Sequence, residues 1–90
     1  MKIYFFGSPS CDNCLKLLNN LANYNFNFTD KDEFCLVDAF DDNYEELCDE
    51  HGVDELPHVK ILDGNNVLFE RIGMFNPSEM EQVVNQYHSI

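Results

Sequence analysis

Apolar residues run along this 90-residue chain in two rhythms, and the switches between them mark out the elements. Residues 2–6 form a short β-branched and aromatic run that Gly7-Ser8-Pro9 cuts off, so they predict a strand. From about 11 to 24 the period lengthens. Cys14, Leu17, Leu18, Leu21 and Tyr24 recur at three- and four-residue steps and draw one apolar stripe on a helix, with Ser10 placed to cap it. Residues 23–32 are polar, with Phe26 and Phe28 set among them, and read as a loop. Residues 33–40, with Cys35 inside, predict a second strand. Asp42 followed by Glu45 has the spacing of a capping box, and the helix it opens runs to His51, where Gly52 stops it in the left-handed conformation. Tyr44, Leu47, Cys48 and His51 share its apolar face.

Residues 58–62 and 67–72 predict two more strands, joined as a hairpin by the turn chemistry of Asp63-Gly64-Asn65-Asn66. Asn76, Pro77 and Glu79 hold the cap, first-turn and reciprocal positions of a last helix, buried through Met80, Val83, Val84 and Tyr87. The order is β-α-β-α-β-β-α. Its strand–helix–strand opening implies parallel strands with a right-handed crossover, and the hairpin adds an antiparallel edge. The expected fold class is therefore α/β: a four-stranded mixed sheet flanked by three helices, one domain over residues 1–90.

Composition narrows the partners. The chain carries a formal net charge of −12. Residues 1–30 balance, whereas residues 31–56 hold eleven acids against Lys31 alone. Nucleic acid and anionic membranes both need basic patches, so neither is an expected partner. A solvated face is the plainer reading of the acidic stretch; steering of a basic partner is the functional one. The apolar start is too short for a signal-peptide core or a membrane span, and four cysteines do not make a secreted disulfide scaffold. A cytoplasmic monomer in a reducing compartment is expected.

Candidate chemistry lies in Cys11 and Cys14. Residues three apart share one side of a helix, so the two sulfurs can close a small ring. Cys11 falls where backbone N–H groups are unpaired and the helix dipole is positive, which favours thiolate. Cys14 lies on the apolar stripe and should be the more buried. Cys11 is thus the candidate nucleophile toward a substrate disulfide and Cys14 the thiol that resolves the mixed disulfide. Half of a zinc site and inert packing are the alternatives. Cys35, Cys48, His51, His58 and His88 supply no second close pair of ligands, so no metal is expected.

"KIYFFGSPSCDNCLKLL" resembles a glutaredoxin opening, and "HGVDELPHVKILDGNNVLFERIGMFNPSEMEQVV" resembles the second half of thioredoxin. Together they identify a resemblance to the thioredoxin/glutaredoxin family over nearly the whole chain. It implies the thioredoxin fold and a cis Leu56–Pro57 bond facing the cysteine pair. By the same resemblance Leu56, Pro57 and Gly73 would bind an extended substrate segment. The implied activity is dithiol–disulfide exchange on disulfide-containing proteins, with no bound cofactor and an external electron donor, either a reductase with NADPH or glutathione. Several positions differ from the family: Ser10 replaces an aromatic residue, Asp12-Asn13 the Gly-Pro or Pro-Tyr pair, and Phe5 the buried acid of thioredoxins. Asp12 opposes ionisation of Cys11, which favours the oxidised pair and makes the expected protein a reductant. A glutathione-dependent glutaredoxin and a non-enzymatic binding or metal module are the rival readings. His58, next to Pro57, is either a tuner of the thiols or an exposed strand histidine.

Overall fold

The computed structural model describes residues 1–89, and its elements follow the expected order. Strand β1 (Lys2–Gly7) is followed by helix α1 (Asp12–Ala22) and strand β2 (Glu33–Asp38). Helix α2 (Glu45–Glu50) leads to strands β3 (His58–Asp63) and β4 (Asn66–Ile72), and helix α3 (Pro77–His88) closes the order. The four strands form one sheet of order β2-β1-β3-β4. β1 runs parallel to β2 and antiparallel to β3, with Phe6 opposite both Val37 and His58. The β3–β4 hairpin shifts register between Ile61 and Leu62, a bulge that leaves Leu68 over on β4.

The unbroken apolar run of β1 has a simple cause: it is buried on both faces. Ile3 and Phe5 point to the side covered by α1 and α3, where they meet Cys14, Leu17, Leu21, Met80 and Val84. Tyr4 and Phe6 point to the other side, where Val37 and Cys48 complete a smaller cluster. No helix among the described residues is long and apolar enough to cross a membrane.

Three boundaries differ from the sequence expectation. α1 ends at Ala22, so Tyr24 lies beyond it; Asn23 caps the end, and its amide bonds the Asn19 side chain at 3.2 Å. β2 stops at Asp38, because the Asp38 carboxylate accepts the Phe40 N–H at 3.0 Å and turns the chain out of the sheet. The Asp42–Glu45 box does not form. Asp41 does the capping instead, accepting the Asn43 N–H at 2.9 Å, and a 3₁₀ turn over Asp42–Tyr44 precedes α2. By contrast Asn76 and Glu79 form their reciprocal cap, Asn76 accepting from the Ser78 N–H at 3.1 Å and donating its own N–H to Glu79 at 3.2 Å.

Asp32 ties distant parts of the chain together. Its carboxylate accepts from the Met1 ammonium at 3.1 Å, the Thr29 N–H at 3.0 Å and His88 Nε2 at 2.7 Å. Burial opposes the charged form, but these donors outweigh it and hold the carboxyl below its ordinary pKa. A depressed folded-state pKa gives stability that is complete above the unfolded value, about 3.9, and is lost as pH falls through the folded one. The Asp32→Asn variant should lose about 1–3 kcal/mol at neutral pH and show a flatter loss of stability below about pH 4. Urea midpoints against pH test this, and an unchanged acid limb would remove Asp32 from the account.

Candidate redox site

The turn after β1 decides where the first helix begins. The Cys11 N–H donates to the Ser8 carbonyl at 3.1 Å, closing a tight turn over Pro9 and Ser10. Ser8 Oγ lies 3.0 Å from Ser10 Oγ and accepts the Ser10 N–H at 3.2 Å. The Ser10 hydroxyl is therefore spent inside the turn. Contrary to the sequence expectation, Cys11 itself is the cap of α1: its backbone is extended and its Sγ accepts the Cys14 N–H at 3.2 Å.

Cys11 and Cys14 are joined as a disulfide, with their Cα atoms 5.2 Å apart. Cys11 is half-buried, whereas Cys14 is 2% exposed. Once the pair is reduced, the N–H aimed at Cys11 and the positive end of α1 both favour charge on its sulfur. Cys14 sits against Gly7 and above the buried Phe5. A Cβ on Gly7 would fall 2.8 Å from the Phe5 ring and 3.3 Å from Cys14 Cβ, so only glycine lets the helix start approach β1 this closely. Behind Cys14 runs an apolar groove of about 240 Å³, bordered by Phe5, Leu15, Leu18 and Leu36. Asp38 is the only carboxylate among its described lining residues.

Leu56–Pro57 is cis, as the resemblance implied. The register of β3 on β1 brings Pro57 to the same end of the sheet as the Gly7–Cys11 turn. Cys11 and Leu56 pack on the same buried cluster, and Leu56 also reaches the cluster across the sheet. Gly73 follows β4 with φ 87°, and its N–H donates to the Pro57 carbonyl at 2.8 Å. A Cβ there would stand in open space, so its backbone angle, not crowding within the chain, calls for glycine. Its N–H is already engaged; only its carbonyl is left to meet another chain. Ile72 and Met74, on either side, are exposed. The sequence reading passed over both. Their signal was two large apolar residues flanking a turn glycine and belonging to no buried stripe.

His58 is neither exposed nor beside the cysteines. It is 2% exposed, packs its ring edge-on to Phe6 at 5.7 Å, and places Nε2 2.7 Å from Glu70 Oε2. Phe6 belongs to the α2 side of the sheet, while Cys11 and Cys14 pack on the α1 side, so the sheet stands between this histidine and the pair. The remaining cysteines, Cys35 and Cys48, are free thiols. Burial pushes both pKa values up, helped by Glu33 for Cys35 and by Asp49 and Asp38 for Cys48. Both therefore stay protonated and weakly nucleophilic at neutral pH. Among the described residues no three His, Cys, Asp or Glu side chains converge as a metal-ligand set.

No family model and no curated protein matches the sequence. Solved structures do match the fold. Thioredoxin 1 from the thermophilic eubacterium Thermosipho africanus is 23% identical, with a TM-score of 0.76 over 99% of this chain and 96% of its own. Thioredoxin from Trypanosoma brucei brucei is 24% identical, with a TM-score of 0.75 over 99% of this chain and 75% of its own. Mitochondrial thioredoxin 3 from Saccharomyces cerevisiae, in its oxidised form, is 18% identical, with a TM-score of 0.68 over 94% of this chain and 76% of its own. With its β2-β1-β3-β4 sheet and helices on both faces, this chain has the thioredoxin fold.

Proposed function

We propose that this protein is a dithiol–disulfide oxidoreductase that reduces disulfides of other proteins. The observation that carries the reading is the asymmetry of the pair. Cys11 is half-buried and its sulfur receives a helix N–H at 3.2 Å; Cys14 is 2% exposed. In the reduced protein, the Cys11 thiolate attacks one sulfur of the substrate. The substrate S–S bond breaks, and its other sulfur leaves as thiolate and takes up a proton. Cys14, as thiolate, then attacks Cys11 Sγ. The mixed disulfide breaks, the second substrate thiol leaves, and the Cys11–Cys14 bond holds the pair oxidised. Two electrons have passed to the substrate, and an external donor restores the dithiol.

Leu56, Pro57 and Gly73 are the proposed substrate-binding frame, with Ile72 and Met74 as apolar contacts beside it. A substrate strand laid along residue 56 would pair with its backbone next to Cys11. Asp12 places a negative charge beside the nucleophile, which favours the oxidised pair and hence a reducing role. The donor is a flavoprotein reductase with NADPH, or glutathione. The two are separated by following reduction of a protein disulfide with NADPH and a thioredoxin reductase, or with glutathione and glutathione reductase. We expect turnover in the first arm, lost in both Cys11→Ser and Cys14→Ser. Turnover with glutathione that survives Cys14→Ser would replace this reading with a glutaredoxin, and no turnover in either arm would favour a non-enzymatic module.

A further inference from the structure

The outer edge of β2 is unpaired among the described residues. Its backbone bonds fix which groups face out. The Glu33 N–H donates to the Met1 carbonyl at 2.9 Å and the Ala39 N–H to the Gly7 carbonyl at 2.8 Å. In a parallel ladder alternate residues turn their groups to the neighbour, so 33, 35, 37 and 39 face β1. Phe34 and Leu36, between them, turn N–H and C=O away from the sheet. These same two residues are 45% and 56% exposed, although they pair with Ile3 and Phe5, which are buried. Their side chains stand on the α1 side. Phe34 borders an apolar groove of about 380 Å³ with Phe28 and Leu18, and Leu36 borders the groove behind Cys14 with Leu15 and Leu18. The two grooves meet at Leu18, making one apolar strip along an open strand edge.

Charge selects the occupant. A second copy laid on β2 would join two chains of net charge −12. Acids gather at one end of the strip, where Asp38, Asp41 and Asp42 end and follow β2; at the other end Asp30 is offset by Lys31, and Glu33 turns to the opposite face and pairs with Lys2 at 3.4 Å. We propose that the β2 edge is a docking site for an extended segment of a partner protein, apolar at alternate positions and basic at the end that meets Asp38, Asp41 and Asp42, which adds to the sheet as a fifth strand. Its alternate apolar side chains would fill the Phe34–Leu18–Leu36 strip, and the lysines or arginines at that end would meet the acids. β2 lies across β1 from Pro57 and Gly73, so this surface is separate from the proposed substrate frame and stands whether or not that reading holds.

The probe is a synthetic peptide, Arg-Lys-Val-Thr-Val-Thr-Val-Lys-Arg, with a counterpart carrying Glu at the four basic positions. Each is titrated into nitrogen-15-labelled protein. The basic peptide should shift the Phe34 and Leu36 amide signals and slow their exchange with water by roughly tenfold or more, as new ladder hydrogen bonds do. Its affinity should fall with added salt, and the acidic peptide should not bind. Leu36→Lys should abolish the shifts, with Phe34→Lys as the second variant if Leu36→Lys unfolds. Four outcomes would overturn the proposal: equal binding of both peptides, shifts confined to the Leu56 and Gly73 loops, no shift at millimolar peptide, or a free protein that sediments as a dimer with Phe34 and Leu36 already protected.

Discussion

A Cys14→Ser variant should accumulate as mixed disulfides between Cys11 and its substrates, while Cys11→Ser should capture nothing. The proposed exchange requires both results. In that exchange Cys11, half-buried and with a helix N–H on its sulfur, is the group expected to open a substrate disulfide. A serine hydroxyl in its place stays protonated at neutral pH and leaves exchange slower by orders of magnitude. Cys14, sealed against Gly7 and Phe5, is expected to act second, releasing the substrate. Without Cys14 the adduct waits for an outside thiol. Mass spectrometry of trapped adducts reads the result. Capture through Cys35 or Cys48, or equal capture by the two variants, would refute the assignment, since burial holds both of those thiols protonated.

Phe5→Ala should destabilise the protein by about 3–5 kcal/mol, the cost of emptying a buried phenylalanine site. That is a large share of the about 5–15 kcal/mol a domain of this kind commands. Phe5 is 1% exposed and lies in the larger buried cluster, with Cys14, Leu17, Val59 and Met80. It also supports the site, because the close approach of Gly7 to its ring fixes where α1 begins. Gly7→Ala should therefore destabilise by about 1–3 kcal/mol, as overpacking does. The Gly7→Ala cost should depend on the ring: in a Phe5→Leu background the ring edge is gone, and Gly7→Ala should cost less than it does alone. Urea unfolding of the four proteins closes the cycle. Strict additivity would mean that the Gly7–Phe5 contact does not position the helix.

Most of the fold could be read from the sequence because period and punctuation agree. The doubly buried β1 is an unbroken apolar run, the α1 stripe steps by three and four, and Asn76-Pro77 opens α3 with a full cap. The fine geometry was less legible where several residues compete for one role. Asp41 and Asp42 are both able to cap, and the turn chose Asp41. Ser10 and Cys11 were both able to start α1, and the Ser8–Ser10 hydroxyl contact removed Ser10 from the contest. His58 was illegible for another reason. Its burial depends on Glu70, twelve residues on, and on a bulged hairpin register that no local pattern announces. Cys11 and Cys14 could be singled out from spacing and context alone, whereas the open β2 edge appears only once the strand order is known.

The atom that caps α1 is also an atom that changes oxidation state. Folding and electron transfer are thereby legs of one thermodynamic cycle. Whatever the Cys14 N–H and the helix end contribute to a charged Cys11 sulfur in the reduced form, they add to the stability of that form over an unfolded chain with the same charge. The gap between the unfolding free energies of the oxidised and reduced proteins must then equal the amount by which folding moves the pair's redox equilibrium from that of an unstructured peptide. Two melting curves, one taken in excess reductant, report that displacement without any electrode.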